Sequence, residues 1–305
     1  MRMLIVGAGG VGGYFGAWLA RAGADVTFLA RGAHLAAIQR DGLIVRSAVE
    51  GESRVRVEAV ERVDGTAPVD VVFLCVKSFD TETAVEAIRP AIGSDTAVLS
   101  LQNGVDNEAK IDAILGHGRA VGGAAYVFAA IESPGVIVHH FAGRIVFGEL
   151  DRVTRPRTRR LLEAFGRAGV PAELSTDIER VLWEKYLMIC AQAGMTAVTR
   201  CPIGVIRATP ATWRMYEAML GELARVGRAA GAPLATDVVD RIAKAAAALA
   251  PEAYSSLYQD LVHGKRLELD ALHGYALRLG ERLGVPTPML FAVDAALRPH
   301  ALGRA

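Results

Sequence analysis

The chain has 305 residues, 52% of them hydrophobic, which is more than one core usually organises and makes two domains the natural expectation. Its 34 basic and 33 acidic residues leave a net charge of +1, which excludes the electrostatic footprint of a nucleic-acid or anionic-lipid binder and points to a small-molecule partner. Three cysteines without a C-x-x-C pair and seven histidines without H-E-x-x-H argue against a disulfide framework, a structural zinc and metal catalysis, and suit a reducing cytoplasm.

The first element is Met3-Leu4-Ile5-Val6, a buried-strand pattern that runs into Gly7-Ala8-Gly9-Gly10-Val11-Gly12-Gly13 and then into a largely apolar stretch over residues 14–22. The glycines of a G-x-G-x-x-G turn serve different ends. Gly7 permits the tight turn, Gly9 lets a pyrophosphate approach the backbone, and Gly12 lets helix and strand pack closely. The helix start offers N–H groups and a partial positive charge to the phosphates, so Gly7, Ala8, Gly9, Gly10, Val11 and Gly12 form the expected cofactor loop. The spacing alone is only a turn; strand before and helix after are what make it a dinucleotide signal. Met1-Arg2-Met3 leads straight into this strand, so no cleavable leader is expected. No uninterrupted apolar run has a membrane-spanning length of about 18 residues either. A soluble, cytoplasmic protein is expected.

The next strand, 25–29, ends in Ala30-Arg31-Gly32, where an NAD site usually carries Asp or Glu. A guanidinium suits a ribose 2′-phosphate and a carboxylate repels it, so Arg31 favours NADPH over NADH; the alternative is a solvated surface arginine. A short helix near 34–40, a strand over 43–46 and a strand-like stretch over 54–60 follow, the last with Val55 and Val57 on one face. Residues 70–76 then form a continuous apolar run, as in a strand buried on both faces, ending in Lys77-Ser78. A helix over 81–88 leads to another buried strand, 97–101, ending in Gln102-Asn103-Gly104. Strands alternating with helices describe a doubly wound parallel sheet, which binds ligands outside its carboxyl ends and so places Lys77 and Asn103 at the rim of the glycine loop. Their plain alternatives are a solvated lysine and an Asn-Gly turn.

Residues 120–149 read as antiparallel strands added to the sheet edge, broken at Ser133-Pro134-Gly135 and Ala142-Gly143. A helix with Leu161, Leu162 and Phe165 and a short extended piece over 172–175 complete a Rossmann-type domain, 1–176. Ser175-Thr176-Asp177 then caps the first helix of an all-helical domain, 177–305, with breaks at Pro202, Pro210, Pro233, Pro251 and Pro286. An α/β nucleotide domain followed by a helical one is the layout of several dehydrogenase families, with chemistry expected in the cleft between the two. Its proton-handling group is sought in Trp183-Glu184-Lys185-Tyr186, in 254–260 and in Glu268-Leu269-Asp270.

These stretches, with the glycine loop, Cys75-Val76-Lys77 and Leu101-Gln102-Asn103-Gly104, resemble the ketopantoate reductase (2-dehydropantoate 2-reductase) family over essentially the whole chain. The resemblance implies NADPH-dependent reduction of a 2-keto acid to a 2-hydroxy acid. It makes Lys185 the catalytic lysine and Glu268 the acid beside lysine, substrate hydroxyl and cofactor ribose. It further implies that Ser256 binds the substrate carboxylate, that Asn103 reaches nicotinamide and substrate, and that Lys77 and Ala130 lie near the cofactor. A lysine suits this chemistry, because its ammonium stabilises charge growing on the keto oxygen and donates the proton. Without the resemblance, Lys185 reads as a paired surface lysine, Glu268 as a helix-face glutamate and Ser256 as a helix cap.

The sequence departs from the family where its pantoate-forming members carry asparagines: Ile189 and Ala193, one and two turns after Lys185, and Ile203 after the Cys-Pro pair. The i, i+4, i+8 spacing puts Lys185, Ile189 and Ala193 on one helix face, so the wall beside the ammonium is expected to be apolar and the substrate to be ketopantoate or a more apolar or bulkier 2-keto acid. Gln192 and Thr196 lie off that stripe. The alternatives are a related NADPH enzyme acting on an imine or a β-hydroxy acid, or an NADPH-binding regulator, although a pure binder needs no proton donor. Apolar helices of the second half suit internal packing or a homodimer interface alike.

Overall fold

The computed structural model describes residues 1–65 and 67–304. Its first part runs β1 (Arg2–Val6), α1 (Gly10–Arg21), β2 (Asp25–Leu29), α2 (Gly32–Asp41), β3 (Leu43–Ser47), β4 (Gly51–Val55), β5 (Glu58–Val60), β6 (Val69–Leu74), α3 (Thr81–Ala87), β7 (Ile92–Ser100), α4 (Asn107–Leu115), β8 (Ala120–Ser133), β9 (Val136–Glu149), α5 (Pro156–Arg167) and β10 (Ala172–Leu174). Helices follow: α6 (Ile178–Thr199), α7 (Ile203–Ala208), α8 (Pro210–Ala229), α9 (Val238–Ala247), α10 (Ser256–Val262), α11 (His273–Leu283) and α12 (Pro288–Leu297). The chain divides into two compact units, one of residues 1–102 with 106–178, the other of 103–105 with 179–305.

The sheet order is β4-β3-β9-β8-β7-β6-β1-β2-β5, with β10 beside β9. From β5 through β2, β1, β6 and β7 to β8 every pairing is parallel, the doubly wound order of a dinucleotide-binding sheet. Side-chain alternation explains why β1 from Met3 on and β6 from Val71 on are apolar at every position. Met3, Ile5, Val71 and Phe73 enter a core with α1 and α5, while Leu4, Val6, Val72 and Leu74 enter the opposite core with Val85, Ile88 and Ile111. Phe165 of α5 meets Phe15, Phe73 and Phe147 at ring-centroid distances of 6.3, 5.9 and 5.7 Å. Each such buried ring contributes roughly 1.5–3 kcal/mol.

Two features refine the reading from sequence. The strand-like stretch over 54–60 is two strands, with β4 antiparallel to β3 and β5 parallel to β2 at opposite ends of the sheet order. The ends approach because the sheet curls around α1, which contacts β1, β2, β3, β4, β8 and β9. The antiparallel pair over 120–149 is present as β8 and β9, but it is not outermost. At 14 residues β9 is long enough to give 136–139 to β3 and 145–147 to β10.

In the helical unit Pro202 and Pro210 act as the breaks anticipated, the first preceding α7 and the second in the first turn of α8, while α12 opens with Pro288, two residues past the break expected at Pro286. Its core joins Tyr186, Leu187 and Cys190 of α6 to Tyr216, Met219, Leu220 and Leu223 of α8 and to Leu290, Val293 and Leu297 of α12. All three cysteines are free. Among the described residues no helix is long and apolar enough to cross a membrane, and no His, Cys, Asp and Glu cluster suits a metal ion.

Candidate active site

Parallel pairing brings the carboxyl ends of four strands to one rim. Val6 is in register with Leu29 and Leu74, and Leu74 with Ser100. One residue further on, Gly7 N–H donates to Leu29 O (3.2 Å), Cys75 N–H to Val6 O (2.8 Å) and Leu101 N–H to Leu74 O (3.0 Å). The glycine loop, Ala30-Arg31, Cys75-Val76-Lys77 and the start of Leu101-Gln102 therefore leave the sheet side by side. Gln102, given no role of its own in the Leu101–Gly104 motif, is buried and binds two of these exits together, its Nε2 donating to Val76 O at 3.0 Å and to Thr81 Oγ1 at 2.8 Å.

The glycines differ in what surrounds them. Gly7 has φ +99°, and a Cβ there would lie 2.9 Å from the Cys75 carbonyl carbon. A Cβ on Gly12 would lie 2.2 Å from Gly7 O and 2.9 Å from the Ile5 side chain, the close helix–strand approach its position requires. At Gly9 a Cβ would meet nothing within 4 Å. Gly9 is also the N-cap of α1, makes no side-chain cap, and no acid stands in the first turn. A helix start that is open around its N-cap residue and has no acid in its first turn fits the pyrophosphate of a dinucleotide. Gly10 meets the hairpin instead: its Cβ would stand 2.0 Å from Ala129 O and 2.9 Å from Ala130 N, which brings Ala130 to the loop through its backbone.

Arg31 caps the entry to α2 and its side chain is 82% exposed, 3.1 Å from Asp80. So exposed a pair is worth little, and it leaves the guanidinium able to take another anion. Lys77 precedes a single 3-10 turn, residues 78–80, and is half-buried. His34, also overlooked in the sequence, accepts from Gly135 N–H on Nδ1 (3.0 Å) and faces Ala8 O with Nε2 (2.8 Å).

The other residues of interest belong to the helical unit. Lys185 on α6 and Glu268, in the segment before α11, are both buried at 8% exposure. Two hydrogen bonds join their segments: the Tyr186 hydroxyl donates to Leu272 O, and His273 Nε2 meets Cys190 O at 2.9 Å. Leu272 N–H in turn donates to Glu268 O at 3.1 Å, so the backbone of Glu268 is one turn away from a carbonyl held by the neighbour of Lys185. Asn103 lies in the short piece, 103–105, that groups with these helices, followed by Gly104 at φ +117°.

Of the two serines, Ser255 is the helix cap. It accepts from Tyr258 N–H at 3.0 Å and lies 2.7 Å from the Thr196 hydroxyl, which leaves Ser256 at the first position of α10, exposed and outside that cap. Ile189 is partly buried, whereas Ala193 and Ile203 are buried members of the helical core. An apolar stripe is thus present, but most of it packs inward.

The comparisons with known proteins agree with one another. Residues 3–152 match the family model of the ketopantoate reductase PanE/ApbA, and residues 177–301 match the model of its C-terminal domain. The chain is 33% identical over 303 residues to an uncharacterised oxidoreductase of Bacillus subtilis, covering 98% of this chain and 99% of that one. It is 31% identical over 326 residues to a 2-dehydropantoate 2-reductase of Mesorhizobium japonicum, covering 100% and 99%. A crystal structure of a PanE/ApbA family ketopantoate reductase from Ralstonia eutropha superposes with a TM-score of 0.91 at 34% identity, covering 99% of this chain and 98% of the other. With both family models matched in order and relatives covered nearly end to end, the chain belongs to the ketopantoate reductase family of nicotinamide-dependent oxidoreductases.

Proposed function

We propose that this chain reduces a 2-keto acid to the 2-hydroxy acid with NADPH, and that its substrate is 2-dehydropantoate or a less polar analogue. The observation that carries the reading is the pair Lys185 and Glu268, both buried, on segments joined by the Tyr186–Leu272 and His273–Cys190 hydrogen bonds. Charged side chains are seldom buried unless paired or put to use. A bound dihydronicotinamide supplies the hydride; the rest of the reaction falls to the chain's own groups.

Lys185 Nζ holds the proton. It stabilises negative charge at the keto oxygen as that charge develops and then donates the proton to it. Glu268 keeps the ammonium charged and accepts hydrogen bonds from hydroxyls of substrate or ribose. Ser256, at the start of α10, donates to the substrate carboxylate, and Asn103 orients nicotinamide and substrate through its amide. On the cofactor side the backbone of Gly7–Gly12 and of Ala130 holds the pyrophosphate region, Lys77 lies beside it, and Arg31 takes the 2′-phosphate in exchange for Asp80.

Two facts support a less polar substrate. Ile189, the partly buried member of the apolar stripe, offers no side-chain donor, and the Thr196 hydroxyl is occupied by Gln192 O at 2.7 Å and Ser255 Oγ at 2.7 Å. A site short of donors discriminates weakly for a substrate hydroxyl. The test is a steady-state screen of 2-keto acids with NADPH and NADH, in which at least one apolar 2-keto acid is expected to equal or exceed ketopantoate in kcat/KM, with NADPH preferred. Ketopantoate outperforming every apolar candidate removes the less polar assignment. Lys185→Ala is expected to lower kcat by about 10²–10⁴, the usual range for a general acid, with NADPH affinity nearly unchanged; an unchanged rate removes the assigned role.

A further inference from the structure

The glycine loop is held from outside its own strand–turn–helix unit. We propose that His34 is a positioning residue for this loop, fixing the Ala8–Gly9 peptide through two hydrogen bonds anchored on the β8–β9 hairpin. The proposal rests on the reading of the loop as the dinucleotide site.

The tautomer follows from the partners. Gly135 N–H can only donate, so Nδ1 at 3.0 Å accepts and carries no proton. The single proton of the neutral ring is then on Nε2, which donates to Ala8 O at 2.8 Å. Partial burial, which pushes the His34 imidazole below its ordinary range, favours the same neutral form.

The Ala8 carbonyl belongs to the planar peptide whose N–H is that of Gly9, and in a trans peptide the two point in opposite directions. With the oxygen held by His34, the Gly9 N–H is turned away from it. Gly9 is the residue around which the loop is open and at which α1 begins.

The other end of the link is itself fixed. Gly135 sits in the hairpin turn at φ +80°, where a Cβ would come within 2.9 Å of Ala37 Cβ on α2, and its carbonyl accepts from Ile44 N–H of β3 at 2.9 Å. The same hairpin presses Ala129 O against Gly10 and Ile137 against Gly13. His34 therefore ties a fixed turn to the peptide it orients, and a side chain without both a donor and an acceptor leaves that peptide able to rotate.

Two variants and one spectrum test this. One net hydrogen bond corresponds to roughly a tenfold change in binding, so His34→Ala should bind NADPH about tenfold more weakly in a fluorescence titration. The NADPH KM should rise by the same factor, with kcat at saturating cofactor within about twofold, because the loop and not the proton donor is disturbed. His34→Gln, whose amide offers one donor and one acceptor at similar reach, should recover affinity to within about threefold. In the unaltered protein, nitrogen NMR should show the His34 ring protonated on Nε2 and bare on Nδ1. Affinity of His34→Ala equal to the parent, His34→Gln no better than His34→Ala, or a ring protonated on Nδ1 each overturns the proposal. Should His34→Ala fail to fold, the tautomer and His34→Gln decide it. Should the parent bind neither NADPH nor NADH, the cofactor reading fails as well and this proposal with it, an outcome distinct from normal parental binding that the variants leave untouched.

Discussion

Gly9 and Gly12 stand three residues apart in one loop, yet an added methyl group does different things at each. At Gly9 it enters open space, whereas at Gly12 it falls 2.2 Å from Gly7 O, a contact that backbone movement alone can relieve. Gly9→Ala should therefore fold and melt like the parent while binding NADPH at least about tenfold more weakly, because the methyl occupies the place a pyrophosphate approaches. Gly12→Ala should lose about 1–3 kcal/mol of stability, the usual cost of overpacking, before cofactor is considered. Melting curves with and without NADPH separate the two. Equal losses of stability in both variants would contradict the assignment of Gly9 to ligand approach and Gly12 to packing.

At the scale of elements, α12 shows how a helix start is satisfied from far away in sequence. It begins with Pro288, its N-cap residue Thr287 makes no side-chain cap, and the N–H groups of Met289 and Leu290 donate to the buried carboxylate of Glu222 on α8, each at 2.9 Å. Glu222→Ala should cost about 2–4 kcal/mol, since two helix N–H groups lose a charged acceptor at the positive end of the helix, and Glu222→Gln about half of that. Denaturant unfolding measures both, and a Glu222→Ala chain as stable as the parent would rule the cap out. That a helix follows the break at Pro286 is legible in sequence, as are the doubly buried β1 and β6 and the glycine loop. The helix's cap is not. Glu222 meets Leu290 across 68 residues, His273 meets Cys190 across 83 and His34 meets Gly135 across 101, and no local spacing rule reaches so far. The split of 54–60 into β4 and β5 is hidden for the same reason, since it depends on the sheet curling around α1. Of the candidate site, the residues proposed to touch a ligand have motif-bearing neighbours and can be found; those that hold them in place have only tertiary ones.

For the whole molecule, a buried imidazole sets a pH dependence whose sign can be worked out. His273 is fully buried, with Nε2 on Cys190 O, and Nδ1 has no hydrogen-bond partner among the described residues. Burial pushes its pKa from an ordinary 6.5 down to about 4, against smaller opposing effects of the Cys190 carbonyl and Asp294; Arg298 acts in the same direction as burial. The unfolded chain therefore takes up this proton between pH 6.5 and 4 while the folded chain does not. Stability is complete above pH 6.5 and falls as the pH drops through that window, by roughly 3 kcal/mol in all from this one group. His34, lowered by partial burial, acts in the same direction. His273→Gln retains a donor for the Cys190 carbonyl and has no titration, so its stability should fall much less between pH 7 and pH 4.5 than that of the parent. Parallel losses in the two proteins over that range would show that some other group takes up the proton.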